Sequence, residues 1–408
     1  MPDNLSYYRT QSEDEALKAL LADLKWDDDL AKASHDYAVD LICRIRKTRR
    51  KPGSLESFFQ QYGLNTKEGL ALMSMAEALL RIPDPATASA LIRDKVASTN
   101  WLKNASAADK DWMTRATDLG LKLTSGTMNS LFSKLGEPVI REAMSRAMKI
   151  LGKQFVVGET LTGAMKAAQE WEQKGFRFSY DMLGEGARTA KDAQHYFDAY
   201  AGALHDIADN LNDNHKNIRP SISVKLSALH PRFNYAQSDR CIPELTDRLI
   251  ALCDIAAKNN LGLTVDAEEV ARLDPTLRII ENICLQPQFM KWKGFGLAVQ
   301  AYQKAAPAIL DHIISLAKTH ERQLQIRLVK GAYWDSEIKY AQVEGLADYP
   351  VFTRKVNTDV SYLRCAQKLL RNRDVIYPMF GTHNAYTAAA IIAIAGKDKK
   401  GFEFQKLY

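Results

Sequence analysis

The chain predicts an α/β fold: a (β/α)8 barrel of the TIM type, truncated after strand seven and preceded by an all-helical arm and linker. Two observations carry that prediction. From about residue 176 onward, short apolar runs alternate with long helical stretches, the pattern of a parallel sheet. Each run also turns polar near its C-terminal end, at Asp181, Lys225, Asp266, Gln300, Arg327 with Lys330, His383 with Asn384, and Gln405. Polar groups supplied by the end of every strand, around one mouth, are how a barrel builds a site. A doubly wound sheet gathers them at one switch point, usually with a glycine-rich fingerprint after the first strand. Here the first run leads into Leu-Gly-Glu-Gly-Ala-Arg, which lacks that spacing.

The strand candidates are 176–183, 221–227, 261–269, 294–302, 324–332, 375–384 and 401–407. Helices are expected between them, for example at 191–210, 242–259 and 307–319. An open barrel of seven strands would leave two unpaired edges. The expectation is therefore a longer natural chain that carries an eighth unit. Residues 13–151 show no strand pattern. Ala16, Leu17, Leu20, Leu21 and Leu24 recur at helical spacing, as do Tyr37, Leu41, Ile42 and Ile45. Ser54 reads as an N-cap, residues 70–80 form an amphipathic run, and Pro83 and Pro85 end it. Residues 125–130 read as a loosely ordered link. The expected divisions are a helical arm at 1–80, a helical linker domain at 81–155, and the incomplete barrel at 156–408.

Composition bounds the function classes. The 408 residues are 46% hydrophobic and 25% charged, which is ordinary globular usage. A net charge of +6 is too mild to make nucleic acid the main partner. The dense basic run at 44–51 reads as a helix end, with contact to anionic lipid or nucleic acid as the sharper alternative. Five widely spaced cysteines, Cys43, Cys241, Cys253, Cys284 and Cys365, form no Cys-x-x-Cys pair and read as buried thiols in a reducing compartment. With no signal-type N-terminus and no span-length apolar run, the expected location is the cytoplasm.

In the run 324–329, alternation places Gln325, Arg327 and Val329 on one face and Leu324, Ile326 and Leu328 on the other. A cation in mid-strand needs an anionic or strongly polar partner. Two readings stand: an internal ion pair, or a contact with a phosphorylated or electron-rich ligand. Lys225 can likewise pair with Asp266, and His383 can be an uncharged, satisfied histidine. No metal-ligand spacing is present among the histidines and cysteines. Three chemistries remain open at such a mouth. Lys225 could form a Schiff base in a lyase, the cations could hold a phosphorylated sugar or nucleotide, or an arginine could face a flavin. A non-catalytic scaffold is the remaining alternative.

Six collinear motifs narrow the choice. SVKLSALHPRF (223–233), TVDAEE (264–269), VQAYQK (299–304), RLVKGAYWDSEIKYAQ (327–342), TRKVNTDVSYL (353–363) and THNAYT (382–387) closely resemble the proline dehydrogenase domain of the bacterial proline utilization A family. EALLRIPDPATASALIRDK (77–95) is similar to that family's helical arm and linker. The resemblance implies a distorted barrel holding FAD noncovalently. It implies oxidation of L-proline to Δ1-pyrroline-5-carboxylate by hydride transfer to flavin N5, with electrons passed on to a membrane quinone. Carried over by motif, Arg327 faces flavin N5, and Val299 and Gln300 contact the ring. Lys330, Gly331, Ala332, Tyr333 and Trp334 hold the pyrophosphate and adenosine side. Thr353, Lys355, Thr382, His383 and Asn384 complete the pocket, with Asp266, Ala267, Val329 and Gln405 beside it. Lys225 and Asp266 lie on the substrate side, and Leu407 falls where the family packs an apolar residue over the proline ring. Lys225, Asp266 and Arg327 are the residues expected to carry the reaction.

The resemblance also sets expectations about what surrounds the domain. The family's carboxylate-binding arginine pair and an active-site tyrosine lie on a final barrel segment that this sequence lacks, so weak proline binding or inactivity is expected of the 408 residues alone. Fuller members continue into an aldehyde dehydrogenase domain, expected here in the natural full-length chain. Peripheral contact with the inner membrane follows from a quinone acceptor. Some members begin with a ribbon–helix–helix segment; no strand pattern precedes Glu13, so no specific DNA binding is expected.

Overall fold

The structure is a computed structural model that describes residues 5–47, 87, 156–182, 186–211 and 219–407. The chain divides into two compact units, residues 1–43 with 160–407, and residues 44–159. Of the second unit only residues 44–47, 87 and 156–159 are described. The expected cap at Ser54, the amphipathic run at 70–80, the proline break and the link at 125–130 lie outside the described residues.

The first unit begins with helices α1 (Leu5–Thr10) and α2 (Glu13–Asp23) and most of α3 (Asp28–Lys47). Then come α4 (Leu161–Glu172), β1 (Ser179–Asp181), α5 (Ala190–Asp209) and β2 (Ser221–Val224). A single helical turn, α6 (Leu226–Leu229), leads to α7 (Ser238–Lys258), β3 (Gly262–Val265) and α8 (Leu273–Cys284). β4 (Phe295–Gln300), α9 (Ala306–Thr319), β5 (Leu324–Val329), α10 (Trp334–Val343) and α11 (Lys355–Arg371) follow. β6 (Ile376–Gly381), α12 (Ala385–Ala395) and β7 (Glu403–Gln405) complete the order.

All seven strand candidates form strands, in one sheet of order β1 to β7, with every neighbouring pair parallel. Each is shorter than its apolar run. Lys225, Asp266, Lys330, His383 and Asn384 lie just beyond their strands, while Asp181, Gln300, Arg327 and Gln405 remain in the ladder. Leu226 and Ser227, expected in a strand, belong to α6 instead.

The sheet curls into most of a barrel, and side-chain geometry shows it. In a flat sheet β1 and β5 would lie four strand spacings apart, about 19 Å. Arg327 of β5 nevertheless bonds Ser179 of β1 directly. Arg177, two residues ahead of β1, forms an ion pair with Glu403 of β7. The inner face of the sheet therefore wraps around a largely polar interior, although among the described residues β1 and β7 are not themselves paired. The outer face is apolar and covered by helices: Leu263, Val265, Leu324, Ile326, Leu328 and Phe380 are fully buried. Tyr362 of α11 donates from its hydroxyl to the Leu328 carbonyl over 3.0 Å, tying that helix to β5.

The N-terminal helices dock on the same unit. Ala16 and Leu20 of α2 pack against Phe352 and Val360. The fully buried Lys304 ammonium donates to the Gln11 carbonyl at 2.7 Å and pairs with Asp348 at 3.0 Å. α3 departs from expectation. Its buried residues are Ser34 and Ala38, whereas Tyr37, Ile42 and Ile45 are exposed. Small residues at i and i+4 make the contact seam, so the apolar side is not the packed side. Cys43, expected to be buried, is exposed; Cys241, Cys253, Cys284 and Cys365 are buried, and all five are free thiols. Among the described residues no helix is long and apolar enough to cross a membrane.

Candidate active site

Period-two alternation decides which residues enter the barrel. β5 reads buried, half-buried, buried along its length, with Gln325, Arg327 and Val329 turned inward. β2 continues into Lys225, so Ser221, Ser223 and Lys225 share the inner face. β7 turns Glu403 and Gln405 inward by the same rule.

Arg327 is the hub. Its Nε donates to Gln405 Oε1 at 2.8 Å. Nη1 donates to Asp266 Oδ1 at 2.7 Å and to Ser223 Oγ at 3.0 Å, and Nη2 donates to Ser179 Oγ at 3.0 Å. Residues on or next to β1, β2, β3 and β7 thus hold one guanidinium. Arg327 forms the internal ion pair with Asp266, and the neutral side chains of Gln405, Ser223 and Ser179 hold the rest of the guanidinium. Ser179, Ser223 and Glu403 were missed from the sequence, although counting back in twos from Lys225 and Gln405 would have found Ser223 and Glu403.

Asp266, just after β3, is shared. Its other oxygen lies 3.4 Å from Lys225 Nζ, and Lys225 also sits 3.6 Å from Asp181 at the end of β1. The Lys225 and Asp266 side chains are only 14% and 12% exposed, so both charges depend on each other and on Arg327. Burial, with the Asp266 charge beside it, pushes the Asp181 carboxyl above the usual aspartate range. Pairing with two carboxylates suits Lys225 to binding, and not to the free amine that a Schiff base needs.

Around this hub the structure places the remaining candidates in three groups. Val299 is buried in β4, and Gln300 closes that strand; Gln300 donates to the Glu268 carbonyl at 2.9 Å and accepts from Ala332 N–H at 3.2 Å. Ala267 and Val329 are half-buried at the ends of β3 and β5. A second group follows β5. Lys330 Nζ lies 2.5 Å from Asp359, which Lys355 also approaches at 2.9 Å. Burial would raise the Asp359 carboxyl, but hydrogen bonds from Lys330 and Lys355 outweigh it and hold the group below the usual range. Gly331 adopts φ +145°, and a Cβ there would meet the Tyr302 ring at 2.4 Å, so only glycine fits this turn. Tyr333 precedes α10, and Trp334 begins it, donating from its indole N–H to the Phe352 carbonyl at 2.9 Å.

The third group is split. After β6, Thr382 Oγ1 accepts from Asn384 N–H at 3.1 Å, and Asn384 caps α12 by accepting from Thr387 N–H at 2.9 Å. His383 Nε2 accepts from Leu407 N–H at 3.1 Å, while the Leu407 side chain is 80% exposed. Thr353 points to a partner the sequence did not suggest. Its N–H and hydroxyl both donate to Glu13 of α2, at 3.0 and 2.5 Å, and Asn357 Nδ2 donates to the same carboxylate at 2.6 Å. Burial raises the Glu13 carboxyl, and these hydrogen bonds pull it below its ordinary value. A cavity of about 380 Å³ is lined not by the hub residues but by Ser227, His230, Phe233, Glu269, Arg272 and Glu337 among others. Among the described residues no cluster of metal-ligating side chains is present.

Comparison with known proteins agrees with this layout. A family profile described as Proline dehydrogenase matches residues 164–408. A second, described as the DNA-binding domain of Proline dehydrogenase, matches residues 54–155, almost all outside the described residues. That description stands opposite the expectation of no specific DNA binding. The bifunctional protein PutA of Klebsiella aerogenes is 45% identical over 413 aligned positions, covering 97% of this chain and 31% of that protein. The chain thus spans about a third of the length of such curated relatives. A crystal structure of Bradyrhizobium japonicum proline utilization A is 43% identical, with a TM-score of 0.72 over 98% of this chain and 41% of that one. Proline utilization A from Bdellovibrio bacteriovorus, at 22% identity, shares the fold with a TM-score of 0.75, over 94% of this chain and 37% of its own. Inward polar groups at the strand ends, their order along the chain and the profile match over the whole sheet agree: the chain belongs to the proline dehydrogenase family.

Proposed function

We propose that this chain is the flavin-binding proline-oxidising part of a longer protein, converting L-proline to Δ1-pyrroline-5-carboxylate with FAD. The single observation that carries the reading is Arg327, fixed from four other strands with Asp266 and Lys225 beside it at the barrel mouth. The donor set fits the cofactor. A rigid guanidinium suits an electron-rich ring, Lys330 and Lys355 suit phosphates, and the glycine turn at 331 lets backbone approach closely. When bound, the flavin supplies a two-electron acceptor for the substrate's hydride.

The residues divide the remaining work. Arg327 presents fixed positive charge where negative charge develops, without rearranging during the reaction. Gln300, Val329, Ala267 and Gln405 would shape the ring side, whereas Val299 pairs in register with Leu328 and so lies on the outer face, away from the position expected of a ring contact. Lys330, Gly331, Ala332, Tyr333 and Trp334 would hold the pyrophosphate and adenosine, with Thr353, Lys355, Thr382, His383 and Asn384 completing the pocket. Lys225 and Asp266 form the substrate side, the cation suited to a carboxylate and the carboxylate to an amine. Leu407 would cover the apolar ring of proline. A membrane quinone is the proposed final acceptor, met by peripheral contact from the cytoplasm, and an aldehyde dehydrogenase domain is the proposed continuation of the natural chain.

An absorption spectrum of the purified protein, before and after incubation with FAD, tests this. Retained flavin bands in the blue are expected of these 408 residues, and bleaching by proline under anaerobic conditions is expected once the chain is extended by the final barrel segment that carries the carboxylate-binding arginines. A protein that takes up no flavin, and in which borohydride traps a carbonyl substrate on Lys225, would overturn it in favour of the lyase.

A further inference from the structure

Gln405 lies between two groups that can each bond in only one sense. A guanidinium only donates, and a carboxylate only accepts. Gln405 Oε1 accepts from Arg327 Nε at 2.8 Å, while Gln405 Nε2 donates to Glu403 Oε1 at 2.8 Å and lies 3.2 Å from Met379 Sδ. Turning the amide over would set N–H against N–H at Arg327 and oxygen against oxygen at Glu403. Two attractions would become two repulsions. Glu403 therefore selects the one amide orientation that can receive Arg327.

Glu403 is itself held from two further elements. Arg177, ahead of β1, forms an ion pair with it, and the Tyr377 hydroxyl of β6 donates to Oε2 at 3.2 Å. Arg177 also stacks over the Tyr377 ring, 5.3 Å from its centroid. Glu403 is 18% exposed, so its charge is largely withdrawn from water and needs this partner. Since Arg177 balances Glu403, the carboxylate does not compete with Asp266 for the charge of Arg327. The arrangement orients the guanidinium and leaves its field intact.

We infer that Glu403 is a positioning residue for Arg327, acting through the Gln405 amide. Only the catalytic consequence rests on the flavin reading of Arg327; the positioning does not. Two measurements separate them. The first is hydrogen exchange of the Arg327 Nε–H, followed by NMR on the full 408-residue protein. Glu403→Met should speed that exchange about tenfold, with the backbone amides of β5 and β7 unchanged. No acceleration would overturn the inference. If the β7 amides accelerate too, Glu403→Gln decides: it keeps the shape and one acceptor, so a smaller acceleration confined to Arg327 upholds the inference and none overturns it. The second measurement is the flavin midpoint potential. Glu403→Met should lower it in the wild-type background and leave it unmoved in the Arg327→Met background. Equal shifts in both backgrounds would overturn the relay. An Arg327→Met protein with an unshifted potential would instead refute the flavin reading, and the exchange experiment would still judge the positioning.

Discussion

The two faces of β5 belong to the same six residues and do opposite things. On the outer face, Leu324, Ile326 and Leu328 are fully buried against helices. On the inner face, Arg327 is held by polar partners on or beside β1, β2, β3 and β7. Apolar packing is non-directional and tolerant of detail, so the outer face fixes where the strand lies. Hydrogen bonds to a guanidinium are directional, so the inner face uses that fixed position to aim one charge. The difference teaches that stability and chemistry on this strand can be perturbed separately.

Four substitutions can break or sharpen that separation. The largest stability effect is expected from Ile326→Ala, at about 2–5 kcal/mol for a fully buried aliphatic truncation. Chemical denaturation would measure it; a change near zero would mean that the outer face does not anchor the strand. In a chain extended by the final barrel segment, Arg327→Met should reduce proline-dependent flavin reduction by about 10²–10³-fold, the range for losing one preorganised charge donor. Its unfolding midpoint should shift less than that of Ile326→Ala, because Lys225 remains beside Asp266. Equal destabilisation by the two variants would collapse the distinction. Gly331→Ala comes next, at about 1–3 kcal/mol, since it places a Cβ against Tyr302 in a left-handed turn. A scan of thermal midpoints checks it.

The smallest effect belongs to the contact between α2 and the start of α11. Glu13→Gln should cost about 1 kcal/mol, as for loss of a capping carboxylate. The pH dependence has a definite sign. The folded-state pKa of Glu13 is depressed, so its contribution is full above the ordinary glutamate value and is lost as pH falls through the depressed one. The gap between wild type and Glu13→Gln should therefore be present at neutral pH and close in acid. A gap that widens on acidification would show that another group governs this contact.

Much of the site was legible in the chain. Alternation put Arg327 and its apolar neighbours on opposite faces, and the polar strand ends marked one mouth. The partners were not legible in the same way. Glu13 and Thr353 lie 340 residues apart, and no local pattern connects an acidic helix start to a distant backbone N–H. Tyr37, Ile42 and Ile45 misled for the converse reason: helical spacing reveals an apolar stripe but not whether anything packs on it. Asp359, which binds both Lys330 and Lys355, sits within a quoted motif yet reads as an ordinary helix residue until the fold brings it to them.

By itself the sequence determined the strand count, the face on which each side chain falls, and the family. These follow from period-two geometry and motif order, which are local properties of the chain. Only the tertiary structure decided which inward groups meet. Arg327 and Ser179 are four strands apart, and Arg177 and Glu403 bracket the whole sheet. Curling the sheet converts those distances into hydrogen bonds. Side-chain alternation specifies a face, but the curvature selects the partner.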